Sequence, residues 1–246
     1  MSLNHEILIR EYSGEPREFE VTGIDGDIHQ RLHSPFIIGN MSVTVVDHPL
    51  AQHLLSQLRD VETEPERFRR FARQLTTLLV IEATKGLQMV ETDVKTQLVT
   101  CRTNLLGEGI AAVPILRAGL SMLEPVLGLF PDVKVGYVGL ERHEDTAVAR
   151  SYYMKLPKLE GRFTLCLDPM LATGGSAAQA IGQLKVAGAK QVAMVCVIAS
   201  PEGIEFLQKQ HPDVAIITAS VDECLNDKKY IVPGLGDFGD RLYGTM

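Results

Sequence analysis

The stretch that decides the fold is LCLDPMLATGGS, residues 165–176, in which an apolar run ends in an acid and then passes through a small-residue turn. Three consecutive apolar residues before Asp168 are typical of a buried strand. The two glycines let the backbone approach a ligand closely, while Thr173 and Ser176 offer hydroxyl groups. If a helix begins here, its unpaired amides can bind a phosphate, so the stretch predicts anion capture at a strand end.

The residues after this turn predict that helix. Ala177, Ala180, Ile181 and Leu184 recur at helical spacing and would fix the helix on a sheet. Gly188 stands where a glycine commonly ends a helix. The strand, turn and helix therefore form one half of an α/β unit with a phosphate site at its turn.

Outward from this unit, short apolar runs alternate with helical patterns. Their near-continuous apolar character predicts five buried strands of a mainly parallel sheet, at Ile110–Val113, Val133–Leu140, Phe163–Leu167, Val192–Ile198 and Val214–Ala219. Crossover helices are predicted at Leu120–Leu129, Ala177–Ala187 and Glu202–Gln210. Ligands of such sheets bind beyond the carboxyl ends of the strands.

The N-terminal part divides into a polar segment and two helices. Residues 1–34 are rich in charged residues and turn signals, and we expect a loosely structured extension ahead of one domain at 35–246. Leucines from Leu50 to Leu58 and apolar residues from Phe68 to Leu79 recur at helical spacing, the second set after the start signal Thr63-Glu64-Pro65. This helical pair is expected to cover the core.

Two further strand ends carry arginines. Arg117 follows the apolar run AVPIL, and Arg142 follows the run ending in Leu140. A guanidinium at such a position can bind a pyrophosphate through several donors, although an arginine after a strand is more often a surface charge.

The last signal is YIVPGLGDFGDRLYGT, residues 230–245, whose four glycines and one proline predict a tight loop without a helix.

Residues 168–176 resemble the phosphoribosyl pyrophosphate (PRPP) motif of type I phosphoribosyltransferases, in the form found in uracil phosphoribosyltransferases. Members of the wider family usually carry two adjacent acids here, whereas this sequence has Asp168 followed by Pro169. The segments around Arg117 and Arg142 resemble the pyrophosphate loops of the family, and residues 230–245 resemble its uracil-binding segment, with Phe238 at a position where alanine is common. The resemblance covers residues 41–246 and implies a five-stranded, mainly parallel sheet flanked by helices, with a small C-terminal hood.

The resemblance implies that the chain transfers the phosphoribosyl group of PRPP to N1 of uracil, giving UMP and pyrophosphate. Catalytic roles fall to Asp168, Arg117 and Asp237, and uracil contacts to Ile231, Gly236, Asp237 and Phe238. PRPP would be bound by Arg117, Arg142, Asp168, Pro169, Met170, Leu171, Ala172, Thr173, Gly174, Gly175, Ser176 and Asp237. Residues 142–150 would form a hairpin that closes over the substrate, and His143 receives no chemical role.

The same resemblance implies Mg²⁺ as the cofactor, held mainly by PRPP oxygens and water rather than directly by the protein. It also implies a homodimer or higher homo-oligomer, with GTP as a possible effector. The four cysteines lie far apart with no CxxC pair, and no apolar run is long enough for a membrane helix. With no signal peptide either, we expect a cytoplasmic enzyme without a membrane partner.

Three alternatives stay open. An RNA-binding regulator of pyrimidine genes shares the fold, but the formal charge of −7 argues against general attraction to a nucleic acid, so no nucleic-acid partner is expected. A phosphoribosyltransferase for orotate would need an added cation, and one for purines a larger pocket. A non-catalytic nucleotide sensor is disfavoured because Asp168, Arg117 and Arg142 are all present.

Overall fold

The computed structural model describes residues 43–142 and 149–245, and of residues 141, 142 and 149–151 it describes the backbone alone. The predicted N-terminal extension at residues 1–34 and the position of His143 lie outside the described residues. Within the described ranges, no helix is both long enough and apolar enough to cross a membrane.

The elements are numbered in chain order. The strands are β1 (Val43–Val45), β2 (Met89–Lys95), β3 (Thr100–Leu106), β4 (Gly109–Leu116), β5 (Lys134–Val135), β6 (Tyr137–Arg142), β7 (Ala149–Lys155), β8 (Arg162–Leu167), β9 (Met170–Leu171), β10 (Gln191–Ala199), β11 (Ala215–Val221), β12 (Cys224–Leu225) and β13 (Ile231–Val232). The helices are α1 (Pro49–Arg59), α2 (Pro65–Ala83), α3 (Leu123–Leu129), α4 (Gly175–Val186), α5 (Pro201–Gln210) and α6 (Phe238–Tyr243), and a 3₁₀ turn at Ala118–Met122 precedes α3.

The central sheet has the order β1-β11-β10-β8-β4-β6-β7. Every pair along this path is parallel except β6 with β7, which is antiparallel. Strands β5 and β9 add short parallel pairings to β4 and β10. The predicted mainly parallel α/β sheet is therefore confirmed, and each of the five predicted runs lies in it.

The sheet is buried on both faces, as its continuous apolar strands predict. On β10, Ala193, Val195 and Val197 pack in the core cluster beneath α1, α2 and α3, whereas Met194 and Cys196 pack in the cluster beneath α4 and α5. The helical pair predicted near the N-terminus supplies fully buried side chains to the first cluster, among them Phe68 and Leu75. Helix α1 contains the predicted leucines, and the ring of His48 caps its start by accepting a hydrogen bond from the Leu50 amide, at 3.0 Å.

The structure differs from the predictions at four places. The described sheet has nine strands and not five, because β1 and β7 join it at the edges, the short β9 pairs with β10, and one predicted strand is divided. The run predicted as one strand over 133–140 is two strands, because β5 pairs with Ala111 and Ala112 whereas β6 pairs with Ile115 and Leu116. The antiparallel hairpin of β2 and β3 was not predicted, because its side chains are mostly exposed and carry no core-facing alternation. The predicted absence of a helix from residues 230–245 is wrong.

That C-terminal helix, α6, forms between two specific caps. The carboxylate of Asp237 accepts a hydrogen bond from the Asp240 amide at 2.9 Å, which satisfies a donor of the first turn. Gly244 ends the helix in the left-handed conformation, with φ of 68°. Of the four glycines that suggested a continuous loop, Gly234 and Gly236 therefore precede this short helix, Gly244 ends it, and only Gly239 lies inside it.

Candidate active site

The predicted phosphate-binding turn lies at the carboxyl end of β8, in the middle of the sheet. The amide of Asp168 donates a hydrogen bond to Val195 of β10, at 3.2 Å, so this residue still belongs to the sheet edge. Its carboxylate accepts a weaker hydrogen bond from the Met170 amide at 3.3 Å. The acid is thereby held where the strand gives way to the turn.

The turn becomes α4 at Gly174, which has a φ of 78° and is the residue that caps the helix. A side chain there would be strained, and its Cβ would come within 2.7 Å of the Gly203 carbonyl oxygen. Because glycine offers no side-chain acceptor, it does not cap the first-turn amides of α4 as a serine would. Those amides are donors that a phosphate can use.

The start of helix α5 packs against this turn and stabilises it. The buried hydroxyl of Ser200 donates to the Ala172 carbonyl oxygen at 2.6 Å and accepts from the Gly203 amide at 3.0 Å. A Cβ at Gly203 would overlap the Ala172 carbonyl oxygen and lie 2.6 Å from that of Leu171. The phosphate turn therefore rests directly on the backbone of α5, which requires glycine at that position.

The C-terminal segment is fixed against the N-terminal helices. The Phe238 ring packs edge to face on Phe68 with centroids 5.0 Å apart. The buried guanidinium of Arg241 lies over the same Phe68 ring, 4.6 Å from its centroid, and donates to the carbonyl oxygens of Leu58, Leu235 and Asp60. The side chain of Phe238 thus anchors the segment to the core and leaves the neighbouring backbone facing the site.

The phosphate turn and the C-terminal segment enclose a cavity of about 330 Å³. The predicted site residues that line it are Asp168, Met170, Leu171, Ala172, Thr173, Gly174, Ser176, Ile231, Gly236, Asp237 and Phe238. Residues more than fifty positions apart in sequence are therefore brought to one cavity, as the pattern of strand ends predicts.

Four predicted site residues lie outside this lining. Pro169 is buried, and its carbonyl oxygen accepts hydrogen bonds from Val197 and Ile198, so its role in the described structure is to join β8 to β10. Gly175 begins α4 just behind the turn. Arg117 is exposed beside the lining residue Ala118, and the Leu116–Arg117 peptide bond is cis. The side chain of Arg142 is outside the described structure, as are residues 143–148 at the tip of the predicted hairpin, whose strands β6 and β7 do pair as expected.

Sequence reasoning missed three polar residues of the lining, Lys228, Lys229 and Tyr230. They lie in a turn in which the Asn226 side chain accepts hydrogen bonds from the amides of Lys228 and Tyr230, at 3.0 and 2.9 Å. Lys229 adopts a φ of 65°, which is uncommon for a residue with a side chain. The signal available in the sequence was two adjacent lysines directly before the predicted base-binding segment.

The cavity lining combines two carboxylates, Asp168 and Asp237, with the two lysines. In the part of the chain that the structure describes, no three His, Cys, Asp or Glu side chains cluster closely enough to hold a metal ion by themselves. The two aspartates in one cavity fit the way Mg²⁺ is commonly bound beside phosphates, through one or two carboxylates, substrate oxygens and water. The donor set present is therefore compatible with the expected cofactor.

The cysteines nearest the site, Cys166 and Cys196, are unreactive thiols. Burial raises the pKa of Cys166, with a smaller contribution from the negative charge of Asp168. Burial likewise raises the pKa of Cys196 to about 12, although a hydrogen bond with Thr218 acts in the opposite direction. A buried thiol that stays protonated is a packing group and a poor nucleophile.

Comparison with known proteins agrees with this geometry. Residues 45–245 match the family model described as uracil phosphoribosyltransferase. The chain belongs to that family. A uracil phosphoribosyltransferase of Bacillus pumilus (strain SAFR-032) is 50% identical over 205 residues, which cover 82% of this chain and 98% of the relative. One of Dictyoglomus turgidum is also 50% identical over 205 residues, covering 82% and 99% of the two chains.

The chain is also similar to a solved structure in sequence and fold. The AQ2163 protein from Aquifex aeolicus is 42% identical, with a TM-score of 0.78 over 82% of this chain and 97% of that chain. The family match spans the phosphate turn and the C-terminal segment, so both walls of the cavity lie inside the family domain. The reaction of uracil phosphoribosyltransferases joins uracil to PRPP and yields UMP and pyrophosphate.

The packing of α5 on the phosphate turn makes a testable prediction. Gly203→Ala forces a methyl group against two backbone carbonyls, and overpacking of this kind costs about 1–3 kcal/mol of unfolding free energy. Because the turn must move, we also expect a rise in KM for PRPP. Urea unfolding and steady-state kinetics measure the two effects.

Gly182→Ala in α4 is the matched control. Its Cβ would meet nothing nearer than the His211 ring at 3.9 Å, and alanine favours a helix over glycine by roughly 0.5–1 kcal/mol. Equal behaviour of the two variants would show that the turn does not depend on the backbone of α5.

Proposed function

We propose that the cavity between the phosphate turn and the C-terminal segment binds PRPP and uracil side by side. The observation that carries the proposal is the meeting of Asp168, the glycine cap of α4 and the segment from Ile231 to Phe238 in one cavity. Residues 168–176 would bind the ribose 5′-phosphate end of PRPP. The base would lie against Ile231, Gly236 and Phe238.

The reaction is a displacement at the anomeric carbon of ribose. The bond between C1 and pyrophosphate breaks, a bond from N1 of uracil forms, and the N1 proton is lost to the surroundings. Asp168 would face the ribose hydroxyls and the positive charge that develops at C1. Arg117 and Arg142 would stabilise the charge that builds on the leaving pyrophosphate. Holding both substrates in line supplies much of the rate, so no protein nucleophile is required.

Selection of uracil follows from backbone donors and acceptors. A backbone amide can donate a hydrogen bond to O4 of uracil. With cytosine bound, the same amide would face an amino group, and both buried donors would be left unpaired. The caps of α6 and the anchoring of Phe238 support this role, because they hold the backbone from Gly236 to Phe238 in one conformation. Asp237 would lie between the base and the ribose.

The test is UMP formation from PRPP and Mg²⁺ with uracil, with cytosine, orotate and hypoxanthine in parallel. Of these four bases, we expect only uracil to be converted.

Asp168→Asn and Asp237→Asn should each lower kcat by about a hundredfold, because loss of one electrostatic group at a transition state costs roughly 3 kcal/mol. Asp213→Asn should leave kcat unchanged, because Asp213 pairs with Lys185 near the C-terminal end of α4 and does not line the cavity. Turnover of every base alike, or full activity of both site variants, would refute the assignment.

Mg²⁺ is proposed as the cofactor, with Asp168 and Asp237 near it and most of its ligands from PRPP and water. When bound, it would neutralise pyrophosphate charge. Because the protein itself offers few ligands, Mg²⁺ removal with EDTA should abolish turnover while leaving the urea midpoint of the substrate-free protein unchanged. A lower midpoint after chelation would instead indicate a metal site built by the protein.

A homo-oligomer is also proposed, supported by the hairpin of β2 and β3. Among the described strands these two pair only with each other, and such a hairpin is marginally stable alone. It exposes apolar side chains that a second copy could cover, namely Met89, Val90, Val94, Leu98, Val99, Leu105 and Leu106.

The oligomer can be tested by charging the hairpin without breaking its strand pairing. Val90 and Leu105 are cross-strand partners, so Val90→Lys with Leu105→Glu keeps an opposite-charge pair in place. Light scattering after size exclusion should show a smaller species for this variant. Val186→Glu on α4, which is 92% exposed, serves as the control. An unchanged mass would place the interface elsewhere.

GTP activation and a cytoplasmic location complete the proposal. The first follows from family resemblance and is checked by adding GTP to the UMP assay. The second is supported by Cys166 and Cys196, two buried free thiols that suit a reducing compartment.

A further inference from the structure

A buried ion pair joins the end of α1 to the end of β11. The guanidinium of Arg59 contacts both carboxylate oxygens of Asp222, with Nη1 to Oδ2 at 2.8 Å and Nη2 to Oδ1 at 2.6 Å. The Asp222 side chain is 1% exposed and that of Arg59 is 25% exposed. This is the two-pronged geometry that arginine, and not lysine, can make with a carboxylate.

The same two side chains bind both backbone polar groups of Gly234. Arg59 donates to the Gly234 carbonyl oxygen at 2.6 Å, and the Gly234 amide donates to Asp222 at 2.9 Å. Gly234 has a φ of 64°, and a Cβ there would overlap the Ile231 carbonyl oxygen. Ile231 and Gly236, on either side of it, line the cavity. The ion pair therefore fixes the turn that presents the proposed base-binding segment.

The surroundings of Asp222 keep it charged. Burial by itself would raise the pKa of this carboxyl, but hydrogen bonds from Arg59, Ser220 and the Gly234 amide outweigh burial and hold its pKa below the usual range. The Ser220 hydroxyl donates to Oδ1 at 2.8 Å. Buried ion pairs add little stability compared with apolar replacements of the same shape, so stability alone is a weak explanation for so complete a network.

We infer that Arg59 and Asp222 are positioning residues for base binding, acting through Gly234. The inference rests on the proposed function of the cavity. In the described part of the chain, Arg59 donates hydrogen bonds to Asp222, Ser220 and Gly234, all on the base side. The phosphate turn is held separately, by the Ser200 hydroxyl on Ala172. Loss of the ion pair should therefore weaken binding of uracil much more than binding of PRPP.

The experiment compares KM for uracil with KM for PRPP in Asp222→Asn, Arg59→Lys and Ser220→Ala. We expect Asp222→Asn and Arg59→Lys to raise KM for uracil about tenfold, the effect of one or two lost hydrogen bonds to charged groups, with KM for PRPP within about twofold. The double variant should be no worse than the poorer single variant, because both remove one interaction. Ser220→Ala, which removes a hydrogen bond to Asp222 and a longer one from Arg59 but keeps the ion pair, should raise KM for uracil about threefold.

Asp213→Asn is the control, because its ion pair with Lys185 is also 2.6 Å long but is more exposed, and neither residue lines the cavity. If Asp222→Asn does not fold, judged by circular dichroism, Ser220→Ala decides the question. Folded variants whose two KM values are unchanged, or rise together, would overturn the inference. A wild-type protein that makes no UMP would remove the proposed function and this inference with it, whereas an active wild type with unselective variants would remove the inference alone.

Discussion

The parallel pairing of β8 with β10 is the constraint on which the site depends. It brings the carboxyl ends of the two strands to one sheet edge, where Asp168 and Ser200 emerge from neighbouring strands. Ser200 then caps α5 and holds the Ala172 carbonyl oxygen, so the phosphate turn is tied to the next crossover unit. A one-residue slip of β8 would invert its buried side chains and withdraw the acid from the edge.

The base side of the cavity is built by a different principle. Arginines from distant elements hold backbone carbonyls there: Arg59 on α1, paired with Asp222 directly after β11, binds Gly234, and Arg241 on α6 binds residues at the end of α1. Planar guanidinium groups with several donors suit this task, because one side chain can fix two or three loop carbonyls. The phosphate side is thus positioned by the sheet, and the base side by charged side chains.

This difference explains what the sequence could and could not predict. The buried strands and the phosphate turn have local signatures, such as the run 165–167 before Asp168, and the structure places them as expected. Arg59 gave no signal, because its partner Asp222 is 163 positions away and neither belongs to a motif. The helix at Phe238–Tyr243 was missed because glycine content was read as a property of the whole segment, whereas the capping role of Asp237 depends on its exact position. Lys228 and Lys229 reach the cavity only through a turn set by the Asn226 side chain.

The hydrogen bond from Arg241 to the Leu58 carbonyl spans 183 positions of the chain. The second wall of the cavity therefore depends on contacts between segments from the two ends of the described domain. A chain cut before Arg241 would therefore keep the turn at residues 168–176, which the sheet positions, and would lose the clamp that joins α6 to the end of α1.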